Sequence, residues 1–240
     1  MKNLSTIAKG YILGTLLIGL GLTAWMAVQL DWMDTGLYLM AALGGVAQTL
    51  KLEGPDDRTN YSIAWFVYGF AFIVLDPAPA MFVVVIAHLV EWAWHRYPWY
   101  IQSFNIVAHL LPLYLAGQIS GMLGRDLSVL DLSLALAAAA AGVVFVVGNH
   151  FMVGVVLSLA RGMSFAKSGV IEFFALFLDF TVLSMGVTTA LLWKISPFAS
   201  LLNILPLYLL YNALRVPALK RQLQEMKKAI LQPGLDIGGD

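Results

Sequence analysis

Residues 132–159 read LSLALAAAAAGVVFVVGNHFMVGVVLSL. No Asp, Glu, Lys, Arg or Pro interrupts them. At 1.5 Å per residue a helix of this length reaches about 42 Å, against about 30 Å for the hydrocarbon core of a bilayer. The stretch reads as a membrane span. Its excess length implies a strong tilt, a break near Gly148-Asn149-His150, or an extension into water.

Seven more apolar runs flank it: Tyr11–Leu30, Thr35–Leu50, Tyr61–Leu75, Ala80–Trp94, Ile101–Leu123, Val170–Leu192 and Phe198–Leu214. The second, third and fourth are short for a crossing, so local thinning or re-entry is an alternative for each. Hydrophobic residues make up 60% of the 240 and charged residues 12%. A soluble domain carries about 25% charge. The fold class is therefore all-α, a polytopic transmembrane helix bundle of about eight spans (six to eight) over residues 1–214, with a tail over 215–240. The first run is too long for a signal-peptide core and reads as a retained span.

Charge placement gives an orientation. With eight crossings both termini share a side, and that side carries Lys2, Lys9, Lys51, Arg58, Arg96, Arg161, Lys167, Arg215, Lys220, Arg221, Lys227 and Lys228. The other side carries only Arg125 and Lys194. Cytoplasmic loops hold such an excess, so both ends are expected in the cytoplasm of a bacterial inner-membrane protein. Trp32, Trp92, Trp94, Tyr97, Trp99, Tyr100 and Trp193 sit beside run ends, where amphipathic rings favour the headgroup level.

Several function classes drop out. The chain has no cysteine, which removes disulfides, iron–sulfur clusters and thiol catalysis. It has no P-loop, no H-E-x-x-H and no G-x-S-x-G. Loops of about ten residues at most leave no room for a soluble catalytic domain, and no enzyme activity or nucleic-acid partner is expected. Gly117 and Gly121 form a G-x-x-x-G, and Gly14, Gly19 and Gly21 line the first span; both patterns permit close helix packing.

Polar residues at membrane depth are costly, which makes them candidates for function. Asp179 lies near the centre of the seventh run, with Glu172 two turns earlier. His88, Glu91 and His95 share a face of the fourth run. Gln102, Asn105 and His109 form a stripe leading to Pro112, and Asn149-His150 interrupts the sixth. Three readings stay open for this set: hydrogen bonding between helices, a shared cavity for a small ligand or protons, and ligation of haem or a divalent ion by the histidines. The candidate cavity residues are His88, Glu91, Asn105, His109, Asn149, His150, Glu172 and Asp179, with no resident metal or cofactor expected.

In the tail, Leu219, Leu223, Met226 and Ile230 are spaced 4, 3, 4 and flanked by Lys220, Arg221, Lys227 and Lys228. This suits an interfacial helix whose lysines meet anionic lipid, or a short coiled-coil seam for a protein partner or a homodimer. Gln232-Pro233-Gly234 stops it.

Asn60-Tyr61-Ser62-Ile63-Ala64, the hinge Leu75-Asp76-Pro77-Ala78-Pro79-Ala80, Val147-Gly148-Asn149-His150 running to Ser158-Leu159-Ala160-Arg161-Gly162, and the exit Leu205-Pro206-Leu207-Tyr208-Leu209-Leu210-Tyr211-Asn212-Ala213-Leu214 with Val216-Pro217-Ala218-Leu219 carry a resemblance. Over roughly residues 35–220 the chain resembles the multi-spanning N-terminal modules that precede GGDEF, HD-GYP and histidine-kinase domains in bacteria. The resemblance implies a sensor-like membrane module whose exit helix leads towards a cytoplasmic output. Where such proteins continue into an enzyme, this sequence reaches Gly238-Gly239-Asp240, which is not a GGDEF site. A stand-alone sensory or regulatory module is the expectation. A substrate-binding subunit of a small-solute transporter and an accessory subunit of a larger complex, holding pigment or haem, are the alternatives.

Overall fold

The computed structural model describes residues 1, 4–53, 60–122, 132–168 and 172–231. Nine helices are described: α1 (Thr6–Gln29), α2 (Thr35–Thr49), α3 (Ala64–Val74), α4 (Pro77–His95), α5 (Trp99–Met122), α6 (Leu132–Arg161), α7 (Phe173–Ile195), α8 (Pro197–Ser200) and α9 (Ile204–Leu231). Between α2 and α3, Leu52–Glu53 and Asn60–Tyr61 form a two-residue antiparallel pair, with Leu52 opposite Tyr61.

Local chemistry sets the helix ends. Ser5 accepts the Ala8 N–H at 3.1 Å to start α1, and Asp34 accepts the Gly36 N–H at 2.8 Å to start α2. α3 stops at Val74 because Asp76 precedes a proline, a position that disfavours helical backbone. Asp76 takes φ 82°, a left-handed conformation rare outside glycine, and Pro77 then opens α4.

Among the described residues, five helical segments are long and apolar enough to cross a membrane: Thr6–Gln29, Pro77–His95, Leu132–Arg161, Phe173–Ile195 and Pro197–Val216. Large apolar side chains point outward along them, including Leu17, Leu20, Phe151 and Phe177, each more than half exposed. In water this surface would drive aggregation; in lipid it is the expected exterior. The eight apolar runs all contain a helix, but the second, third and fifth supply none of these five segments. The third run supplies only eleven helical residues, about 16 Å, because its start is drawn into the β pair and its end is cut at the Asp76-Pro77 hinge. The sixth is one unbroken helix of 30 residues; Gly148-Asn149-His150 does not interrupt it.

The core lies among α2, α3, α4, α5, α6 and α7, around Tyr68, Met81, Leu110, Leu113, Phe145 and Leu183. α1 joins this core through Met26, with Leu22 and Trp25 packed against it, while Ile12 lies in a separate small cluster with Phe104, Ala108 and Met152. The tightest crossing joins α3 to α7. A Cβ built on Gly186 would stand 2.0 Å from the Phe66 carbonyl oxygen, and one on Gly69 would stand 2.5 Å from that of Leu183. Each glycine lets the other helix's backbone approach. Of the glycines singled out from sequence, Gly19 and Gly117 make close approaches, to Val107 and Pro77. Gly14, Gly21 and Gly121 face open space.

The last span opens with α8 and a 3-10 turn at Leu201–Asn203, and from Ile204 it continues as one helix, α9, into the tail as far as Leu231. Only 6% of Pro197–Val216 is buried. Asn203 Nδ2 donates to Thr189 Oγ1 at 2.9 Å just before α9 begins, and Leu210 and Leu214 pack on the core further along. Leu219, Leu223, Met226, Lys220 and Lys227 are exposed. The side chains of Arg221, Lys228 and Ile230, and the stop at 232–234, lie outside the described residues.

Candidate functional site

The polar residues concentrate toward one end of the bundle. They come from the end of α2, the start of α3, the end of α4, the start of α5, the second half of α6 and the start of α7, the ends at which α2 leads to α3, α4 to α5 and α6 to α7. A cavity of about 180 Å³ opens there, lined by Gln48, Lys51, Tyr61, Ser62, Trp65, Tyr68, His88, Asn105, His109, Asn149, His150, Val153, Ala175 and Asp179.

Glu91 holds one wall. It is fully buried, and an isolated carboxylate there would be prohibitive. Lys51 donates to its Oε1 at 2.5 Å. Its Oε2 accepts from Gln48 Nε2 at 3.0 Å, from Gln102 Nε2 at 3.3 Å and from His88 at 3.1 Å. A carboxylate only accepts, so the His88 proton on this bond sits on Nδ1. Gln48 in turn accepts from Ser62 and Tyr68 at 3.2 Å each. One carboxylate thus ties α2, α4 and α5 together, with α3 attached through Gln48.

His150 on α6 and Asp179 on α7 form a second pair, 2.8 Å from Nε2 to Oδ2. His109 lies between the two groups. Its Nδ1 donates to the Asn105 carbonyl at 2.9 Å, and its ring sits 4.6 Å from that of His88 and 5.3 Å from that of Trp65.

Asn149 has a clear local cause. Pro112 has no N–H, so the carbonyl of Ala108 one turn earlier loses its helical partner. Asn149 Nδ2 donates to that oxygen at 3.0 Å from the neighbouring helix. Gly148 makes room, since its Cβ would stand 2.9 Å from Pro112. Replacing Asn149 by Leu is expected to destabilise the bundle by about 1–3 kcal/mol, through an orphaned carbonyl in a site without bulk water. Thermal unfolding in detergent tests this, and a midpoint equal to that of the parent chain would refute it.

Of the eight cavity candidates from sequence, six line the cavity: His88, Asn105, His109, Asn149, His150 and Asp179. Glu91 stands behind the wall and organises it. Glu172 does not join them; it is exposed, next to the first residue of α7, because α7 begins only at Phe173. His95, although in helical register with His88 and Glu91, is exposed and stacks on Tyr97. Sequence reasoning missed Gln48, Lys51, Ser62, Trp65 and Tyr68. Gln48 and Lys51 sit where a span ends and look like ordinary boundary residues. Ser62, Trp65 and Tyr68 are common in any apolar run.

Among the described residues, no three His, Asp or Glu side chains are grouped to hold a metal ion. No protein-family model, curated protein or solved structure matches the chain.

Proposed function

We propose that this chain is an integral-membrane sensory or regulatory module. A small ligand occupies the polar cavity, and α9 passes its presence to a protein partner. The observation that carries the reading is the position of Tyr61 and Ser62. Both line the cavity, and both also border a small apolar recess with Leu52, Ile63, Leu178, Val182, Leu210 and Leu214. A ligand that shifts the start of α3 therefore presses on the two leucines by which α9 touches the core. The resemblance to sensor modules and the exposed seam of Leu219, Leu223 and Met226 support the same reading. In this proposal both termini face the cytoplasm of a bacterial inner membrane, and the seam engages a protein partner or a second copy of the chain.

Removing residues 216–240 is expected to abolish capture of the partner in pull-downs from native membranes. Leu210→Ala is expected to keep capture but weaken its response to cavity variants. An unchanged set of captured proteins after the truncation would refute the signalling route.

The placement of Asp179 in the cavity favours a second reading, a substrate-binding subunit of a small-solute transporter. Solute flux into vesicles that falls with Asp179→Asn would support transport over sensing.

A further inference from the structure

We infer that the cavity is built for a small organic cation, a protonated amine of only a few carbon atoms. This deepens the reading of the cavity as a ligand site and rests on it. The first argument is the supply of hydrogen-bonding groups. Six donors on and behind the wall are engaged with neighbouring acceptors: Lys51 and Gln48 with Glu91, Tyr68 and Ser62 with Gln48, Asn149 with Ala108, and His109 Nδ1 with Asn105. Acceptor capacity is left over. His88 is 1% exposed and walls the cavity, and with Nδ1–H on Glu91 its Nε2 is a bare lone pair. That Nε2 has no hydrogen-bond partner among the described residues. His109 Nδ1 lies 2.9 Å from the Asn105 carbonyl and 3.2 Å from Asn149 Nδ2, and in the tautomer that donates to Asn105 its Nε2 is a second lone pair. His88 Nε2 is itself buried, so a ligand that reaches it displaces the cover over that nitrogen and brings an N–H group.

The second argument is charge. With neutral imidazoles, the site holds one cation, Lys51, and two carboxylates, Glu91 and Asp179. Lys51 is committed to Glu91, and a neutral His150 gives Asp179 an N–H at 2.8 Å but no countercharge, so the net charge of that carboxylate stays unbalanced in a low-dielectric interior. A bound ammonium supplies that balance. An acetate-like anion would add to the imbalance, and a neutral alcohol would leave it unchanged. The third argument is surface. Tyr61, Trp65 and Tyr68 give the cavity aromatic walls, which attract ammonium groups through their ring faces. The volume of about 180 Å³ limits the guest to a few heavy atoms.

The test uses the full chain in nanodiscs and saturation-transfer NMR with ethylammonium, ethanol and acetate, which differ mainly in charge. Ethylammonium is expected to bind with a Kd on the order of millimolar, the range open to a three-atom fragment. Ethanol and acetate are expected at least about tenfold weaker. Asp179→Asn should weaken ethylammonium about tenfold or more, the loss of a charge-assisted contact, while Asp179→Glu retains part of it. Thermal unfolding of both variants shows whether they remain folded. Equal binding of the three probes, a preference for acetate, or a folded Asp179→Asn chain with undiminished ethylammonium affinity overturns the amine assignment but leaves the sensory reading standing. Absence of binding by all three also overturns it. The sensory reading stands or falls separately, on the partner capture described above.

Discussion

Glu91→Ala is expected to cost about 3–5 kcal/mol of stability, the range found when one partner of a buried ion pair is removed. The loss is large because four side chains on three segments converge on this carboxylate. Lys51 would keep its charge beside a wall that no longer accepts it, and the proton of His88 Nδ1 would point at a void. Gln48 and Gln102 would lose acceptors in the same stroke. The measurement is the unfolding midpoint in detergent, with yield of folded protein as a second readout. The double variant Lys51→Met, Glu91→Gln should recover much of the loss, because removing both charges of a buried pair is often close to neutral. A Glu91→Ala chain as stable as its parent would show that the network does not hold the helices.

Gly186→Ala is the second large effect. The added methyl would meet a backbone oxygen at 2.0 Å, and a carbonyl in a helix cannot swing aside as a flexible side chain does. Either α3 or α7 must move, at a cost of about 1–3 kcal/mol. Gly69→Ala should act in the same direction from the other side of the crossing. Gly121→Ala, where nothing lies within 4 Å, is expected to be neutral or to stabilise slightly through helix propensity. Parallel thermal melts of the three variants decide the matter; equal midpoints for Gly186→Ala and Gly121→Ala would rule out the tight crossing. Because α3 carries Trp65 and Tyr68 and α7 carries Asp179, a displaced crossing should also deform the cavity.

The bundle was legible in the sequence because a span announces itself by length and by the absence of charge. Every apolar run contains a helix, and Asp179, His150, His109 and His88 stood out because polar groups are conspicuous against lipid-soluble neighbours. Convergence was not legible. A single chain does not reveal which helices are adjacent, so the pairing of His150 with Asp179 was hidden even though both residues were named. Gly69 and Gly186 were hidden for the same reason: their importance depends on meeting each other's helices, whereas the G-x-x-x-G pattern at Gly117 and Gly121 has one member facing open space. Asn149 illustrates a coupling across elements, since its role follows from a proline 37 residues earlier on another helix. Glu172 failed as a site residue because helical register was extended past the point where the helix starts.

The sparse packing of α9 makes the bilayer itself part of its environment. The apolar first half of α9 is compatible with acyl-chain contact along most of its flank, so in a bilayer its tilt depends on how the length of that stretch compares with membrane thickness. On that footing lipid composition would set the resting angle at which this rod leaves the bundle, and a message relayed as proposed above would be superimposed on a posture that the surrounding lipids dictate.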